Sequence, residues 1–231
     1  MKPLIYLLVN LGCISIPLLA SFYPKHAFYK NWRYFFSANI LITIIFVVWD
    51  IIFTKIGVWG FNQTYLTGFY ICNLPIEELL FFVCIPFACV FSYFAFKYLI
   101  KNNPLEKIQR AVTYILIVVF LIIALLNYNK LYTSTTCFLT SLYLTLLAVR
   151  KVNLSYYYLS YIFILPFFFV SNGILTGSFF VEPIVWYNDA ENLGVRISNI
   201  PIEDSIYGLL LIFINIHLYK YFKTKSLLKI K

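Results

Sequence analysis

The chain is poor in charge and poorest in acid. Of its 231 residues 12% are charged, and only nine are Asp or Glu. Soluble domains carry roughly 25% charged residues, so water is excluded as the main solvent. No polar stretch exceeds about 30 residues, which leaves no separate soluble domain. Cysteine forms no C-x-x-C pair. Cys13, Cys72, Cys84, Cys89 and Cys137 are scattered through apolar segments, so a disulfide framework is not expected and they read as small core residues. The eight glycines contain no G-x-G-x-x-G, which argues against a Rossmann-type flavin or dinucleotide site. Nor is there a dispersed pair of Asp-rich motifs of the kind magnesium–diphosphate chemistry needs, so no metal is expected.

What is present is hydrophobic. Apolar residues make up 62% of the chain, and the mean hydropathy is +0.84. Runs of about 20 apolar residues, enough to cross ~30 Å of hydrocarbon as helix, fall at roughly 4–22, 35–56, 74–97, 111–127, 131–149, 153–171 and 199–222. A lipid-exposed segment must satisfy its own backbone, which a helix does. Pro17, Pro86 and Pro166 fall inside spans, where they are expected to kink them. Asn10-Leu11-Gly12-Cys13 is only faintly like a lipoprotein cleavage site, because Asn10 stands where an aliphatic residue is wanted. The first segment therefore reads as a retained span. The tight turn at Tyr128-Asn129-Lys130 makes spans four and five antiparallel neighbours.

Seven spans put the termini on opposite sides. One side collects Lys25, Lys30, Arg33, Lys97, Lys101, Lys107, Arg110, Arg150, Lys151, Lys220, Lys223, Lys225, Lys229 and Lys231. The other has only Lys2, Lys55, Lys130 and Arg196, fourteen against four. The positive-inside rule then places the C-terminus in the cytoplasm and the N-terminus outside, in a multi-pass protein of the cell membrane. The net charge of +9 lies at span ends, where anionic lipid attracts it, so nucleic acid is not an expected partner. His26 and His217 each stand alone near the cytoplasmic side and read as interfacial.

The acids have the opposite bias. Only Glu106 falls in a cytoplasmic loop; Asp50, Glu77, Glu78, Glu182, Asp189, Glu191, Glu203 and Asp204 fall at or near the outer side. Several are in or beside a span, where charge is expensive and functional. They also repeat. Asn73-Leu74-Pro75-Ile76-Glu77-Glu78 recurs 126 residues later as Asn199-Ile200-Pro201-Ile202-Glu203-Asp204. A tryptophan precedes each copy, in Trp59-Gly60-Phe61-Asn62 and Trp186-Tyr187-Asn188-Asp189, 16 and 15 residues before the proline. Each proline opens a long span, the third and the seventh. The expected fold is all-α and polytopic, about seven helices arranged 3+1+3: a first repeat over 1–103, a linker span in 104–128 and a second repeat over 129–231. The repeat is parallel, with its pseudo-axis along the membrane normal, so both motifs face one leaflet and can meet.

Asn, Pro and first-turn acids are also an ordinary helix start, since Pro lacks the orphaned N–H and Glu suits the positive end. Two copies in so acid-poor a chain favour chemistry. Adjacent helical residues point about 100° apart, so one acid of each pair is expected to act and the other to support it. A carboxyl group among apolar atoms keeps its proton more readily, and a second carboxylate nearby strengthens the effect, giving a matched proton donor and acceptor. Aromatic residues, 21% of the chain, crowd these motifs, among them Trp49, Trp59, Phe61, Tyr65, Phe69, Tyr70, Phe81, Phe82, Trp186, Tyr187 and Tyr207. Many belong to the interfacial belt and the core, but aromatic faces also stabilise a cation. Acid, base and aromatic walls in a membrane suit carbocation chemistry on an isoprenoid.

The two Pro-Ile-Glu-Glu/Asp motifs, Trp49-Asp50, Trp59-Gly60-Phe61 and Asn172-Gly173-Ile174-Leu175-Thr176-Gly177 resemble the membrane-integral lycopene cyclases, and the length and internal repeat resemble their fused single-chain form. The resemblance implies a redox-neutral enzyme acting on lycopene or a related acyclic carotene, with no cofactor. An acid would protonate the terminal double bond of a ψ end, the next alkene would attack the cation, and a base would remove a proton to leave a β-ionone ring. Carried over, Glu77 and Glu203 match the family's motif glutamates and are the candidate acid and base; Glu78 and Asp204 match its second acidic position. Asp50, Asn172 and Asp189 are candidate positioning groups, and Trp49, Trp59, Phe61, Trp186 and Tyr207 candidate substrate contacts.

Three rivals are weighed. The 3+1+3 plan is shared with small-solute transporters carrying Pro-Gln motifs, but here the residue two after each proline is Glu. A retinal-binding seven-helix protein needs a lysine deep in the last span, and Lys220 lies at its end. A carotenoid hydratase or carotenoid-binding protein of similar fold would give a hydroxylated acyclic carotene, or no product.

Overall fold

A computed structural model describes residues 2–25 and 27–228; His26, Lys229 and Lys231 lie outside them. Among the described residues seven helices are long and apolar enough to cross a membrane: α1 (Ile5–Ala20), α2 (Trp32–Lys55), α3 (Ile76–Leu99), α4 (Gln109–Leu126), α5 (Leu131–Val149), α6 (Ser155–Leu175) and α7 (Ile202–Leu228). Six short strands among the described residues, β1 (Trp59–Phe61), β2 (Tyr70–Ile71), β3 (Leu74–Pro75), β4 (Val185–Tyr187), β5 (Arg196–Ile197) and β6 (Ile200–Pro201), form three two-stranded ribbons at one end of the bundle.

α3 and α7 pack against each other at the centre. α1 and α6 flank α3, while α5 and α2 flank α7, and α4 lies along α5. The arrangement is the one a parallel repeat dictates. The loops repeat it in detail: Cys72 and Ser198 both take positive φ, of 55° and 56°, in the ribbons β2–β3 and β5–β6. Ile76 N–H reaches Phe69 O at 2.9 Å, and its counterpart Ile202 N–H reaches Val195 O at 3.0 Å. The ribbon β1–β4 straddles the pseudo-axis. It pairs Gly60 with Trp186, residues at the repeat spacing, and flanks them with Trp59–Tyr187 and Phe61–Val185. Trp59 and Trp186, counterparts by motif, are therefore one register apart: the structural equivalent of Trp186 is Gly60. A Cβ on Gly60 would approach Trp186 Cζ2 to 2.4 Å, so the indole occupies the space that any other residue at 60 would need.

Pro86, inside α3, cannot donate to Phe82 O one turn earlier. α2 supplies the missing donors: Asn39 Nδ2 at 2.9 Å and Thr43 Oγ1 at 3.2 Å. Asn39 also donates to Asn215 Oδ1 of α7 at 3.2 Å. The proline thus costs no unsatisfied carbonyl and ties the three helices beneath the acidic motifs.

Candidate active site

Pro75 stands at the N-cap position of α3 with extended backbone and Pro201 immediately precedes α7, so both acid pairs enter the first turn of a buried helix from the ribbon end. The members of each pair then diverge. Glu78 and Asp204 line one cavity of about 1180 Å³; Glu77 and Glu203 do not. Glu77 Oε1 accepts from Thr67 N–H at 2.7 Å, and Glu203 Oε1 accepts from Leu193 N–H at 2.7 Å and from Thr133 Oγ1 at 2.6 Å. Thr67 and Leu193 occupy the same place in the two loops, so each glutamate pins its own loop to its own helix. Asn10 Nδ2 adds a 2.7 Å bond to Glu77 O.

Each cavity-facing acid accepts from a tyrosine of the helix that opens its half: Glu78 from Tyr6 of α1, and Asp204 Oδ1 from Tyr132 of α5 at 2.5 Å. Beyond that the halves differ. Asp204 Oδ2 also accepts from Asn172 Nδ2 at 2.6 Å and Tyr187 Oη at 2.9 Å. Among the described residues Glu78 has no such further donors and lies instead against the carboxyl of Asp50, which also meets Trp59. One acid is thus ringed by three O–H and N–H donors, an environment that suits a carboxylate. The other is half of a carboxyl pair. Tyr187, outside the spans, has its phenol held well above the usual tyrosine range by burial and by Asp204, so it remains a donor at any physiological pH.

Tyr207 lines the cavity together with Asp50, Glu78 and Asp204, and its buried Oη finds no hydrogen-bond partner among the described residues. The Tyr207 ring meets Phe46 and Trp49 with centroids 5.2 Å away and Trp59 at 6.4 Å, and Trp59 meets Tyr132 at 5.1 Å. Tyr132 stacks on Tyr187 at 5.9 Å. The carboxyls therefore sit in an aromatic box whose faces and edges are fixed by mutual packing.

Among the residues singled out from the sequence, Asp50, Trp59, Phe61, Asn172 and Tyr207 line the cavity with Glu78 and Asp204. Trp49 stands behind Tyr207, against Phe46 and Phe53. Trp186 is 42% exposed and packs over Gly60 away from the cavity. Asp189 is exposed and paired with Arg196, which holds its carboxyl below the usual range. Among the described residues no group of three or more His, Cys, Asp or Glu side chains is disposed to hold a metal ion. Tyr6, Tyr132 and Thr133 were not anticipated. Two of them had a signal: the residue 72 positions before Glu78 and the residue 72 before Asp204 are both tyrosine.

A protein-family model described as lycopene cyclase matches residues 3–96 and again residues 129–222. No curated protein and no solved structure matches the chain.

Proposed function

Because the chain belongs to the lycopene cyclase family, we propose that it converts the ψ ends of lycopene, or of a related acyclic carotene, into β-ionone rings by acid–base chemistry without redox change. The observation that carries this reading is the convergence of Glu78 and Asp204, one acid from each half, on a single aromatic-walled cavity. Geometry favours these second acids of each motif for proton transfer. Glu77 and Glu203, which the family pattern puts forward as acid and base, are better suited to holding the loops.

The roles divide by environment. Two carboxyl groups in contact share one proton in preference to two negative charges, so the Asp50–Glu78 pair is the proton donor. It adds a proton to the terminal alkene and leaves a tertiary cation. The π electrons of the next alkene form the new carbon–carbon bond and close the six-membered ring, moving the positive charge onto the ring. Asp204, fixed by Tyr132, Asn172 and Tyr187, removes a ring proton and the ring double bond forms. One proton enters and one leaves, so the hydrocarbon keeps its formula. Trp59, Tyr132 and Tyr207 face the migrating charge, and aromatic faces stabilise a desolvated cation by about 2 kcal/mol or more. The protein would lie in the cell membrane with its ribbon end and N-terminus outside, as the distribution of Lys and Arg supports.

The test is expression in a lycopene-accumulating bacterium with chromatography of the pigments. Cyclic carotenes are expected. Unchanged lycopene would overturn the proposal, and a hydroxylated acyclic carotene would turn it into a hydration.

A further inference from the structure

The cavity does not end at the carboxyls. Along α3 its lining runs from Glu78 to Ser92, about 21 Å at ~1.5 Å per residue. α3 and α7 form the floor, and α1 and α6 the two walls. Its charged members, Asp50, Glu78 and Asp204, are confined to the ribbon end. Below them the lining is aliphatic, aromatic, or small, with Gly12, Ala88 and Cys89 among the small members. The rims are bare: Leu8 and Ile16 of α1 are 55% and 75% exposed, and Phe167 and Val170 of α6 are 76% and 61% exposed, although all four line the groove. The walls meet where Cys13 of α1 lies against Ser171 of α6, and on either side of that contact the bare rims face the surface that meets lipid, which puts the groove's lateral mouth along the α1–α6 seam.

It is also one-sided. The repeat carries α1, α3, α6 and α7 onto α5, α7, α2 and α3. In that second position there is a packed core of Ile42, Phe46, Phe82, Leu210 and Leu211, with Trp49, Tyr143 and Tyr207 against it. The duplicated motifs thus share one groove.

Resting on the cyclisation reading above, we infer that this groove binds the linear polyene arm of the substrate, which enters laterally from the bilayer between α1 and α6 and presents one end at a time to the carboxyls. Continuity with the carboxyl cluster, the absence of charge along the shaft and the lateral opening together specify a long, thin, apolar occupant delivered by lipid. A groove of about 21 Å is shorter than the ~30 Å hydrocarbon layer, so the distal part of a bilayer-length polyene remains in lipid. A two-ring product then requires the monocyclic carotene to leave, turn around and return.

Gly12→Phe and Ala88→Phe fill the groove from one wall and from the floor. A Cβ on Gly12 would meet nothing within 4 Å, so the new ring has room to fold into the groove without displacing backbone. Leu19→Phe, on the exposed side of α1 and outside the groove, is the control. Membranes of each variant are given lycopene, and both turnover and the lycopene retained through detergent purification are measured. Both groove variants are expected to lose at least about tenfold in each readout, with Leu19→Phe matching the wild type. Wild-type turnover in both groove variants would overturn the inference. A wild type that retains lycopene but forms no ring would sink the cyclisation reading while leaving the groove in place. In a trapping experiment with labelled lycopene, excess unlabelled lycopene added in mid-course should leave labelled monocyclic carotene stranded. Labelled bicyclic product forming at an undiminished rate would overturn the one-end-at-a-time scheme.

Discussion

The two carboxyls that matter most to the account are one helical position away from the two that the motif puts forward, and the difference lies in what each can touch. Glu77 and Glu203 meet backbone N–H groups of their own loops; Glu78 and Asp204 meet phenols and open space. That one member of each pair would act and the other support it follows from the 100° between helical neighbours. Which member does so depends on helix rotation, and the buried face of these all-round apolar spans carries no amphipathic signature. Tyr132→Phe should lower turnover about tenfold, since a charge-assisted hydrogen bond contributes about 1.5–3 kcal/mol, and its KM should move less than its kcat. Replacing Glu77 by Leu should instead strip the acceptor from Thr67 N–H and destabilise the protein by about 1–3 kcal/mol, measured as a lower midpoint of thermal unfolding in detergent.

At the scale of elements, seven helices and their parallel repeat were legible because period, length and motif spacing are local properties. The three ribbons were not. Each is two or three residues long, below the length at which alternation can be read, and β1–β4 joins strands more than a hundred residues apart in sequence. The pairing of Gly60 with Trp186 shows what that concealed: the sequence aligns the tryptophans, and the ladder offsets them. Gly60→Ala should therefore weaken the ribbon in the wild type and have little effect alongside Trp186→Ala, a non-additivity that unfolding midpoints of the four proteins would reveal. Pro86 and Asn39 form a second coupled pair. Asn39→Leu leaves Phe82 O without its shorter donor and should cost about 1–3 kcal/mol. In a Pro86→Ala background the helix regains its own N–H for that carbonyl, and the same substitution should cost less.

On the proposed reading, the whole molecule makes one reaction centre from two half-sites. Asp50 and Glu78 come from the first half, Asp204, Asn172 and Tyr187 from the second, and neither half has the full set. Residues 1–103 and 104–231 expressed as separate chains should each leave lycopene unchanged and should restore ring formation when produced together, with pigment chromatography as the readout. The duplication also makes the asymmetry intelligible. Tyr6 and Tyr132 occupy equivalent places in the two halves, while the Asp50 carboxyl on one side and the amide and phenol on the other make the two acids unlike, as the proposed roles of proton donor and proton acceptor require. The most direct measurement is ring formation by four single variants in lycopene-accumulating cells, with each protein's membrane level determined alongside. Glu78→Gln and Asp204→Asn should each lose about 10²- to 10⁴-fold, the range of general acid–base catalysis, while Glu77→Gln and Glu203→Gln, which keep their Oε1 acceptors, stay within about tenfold of the wild type. The reverse order, with Glu77→Gln and Glu203→Gln inactive and Glu78→Gln and Asp204→Asn turning over normally, would contradict the account.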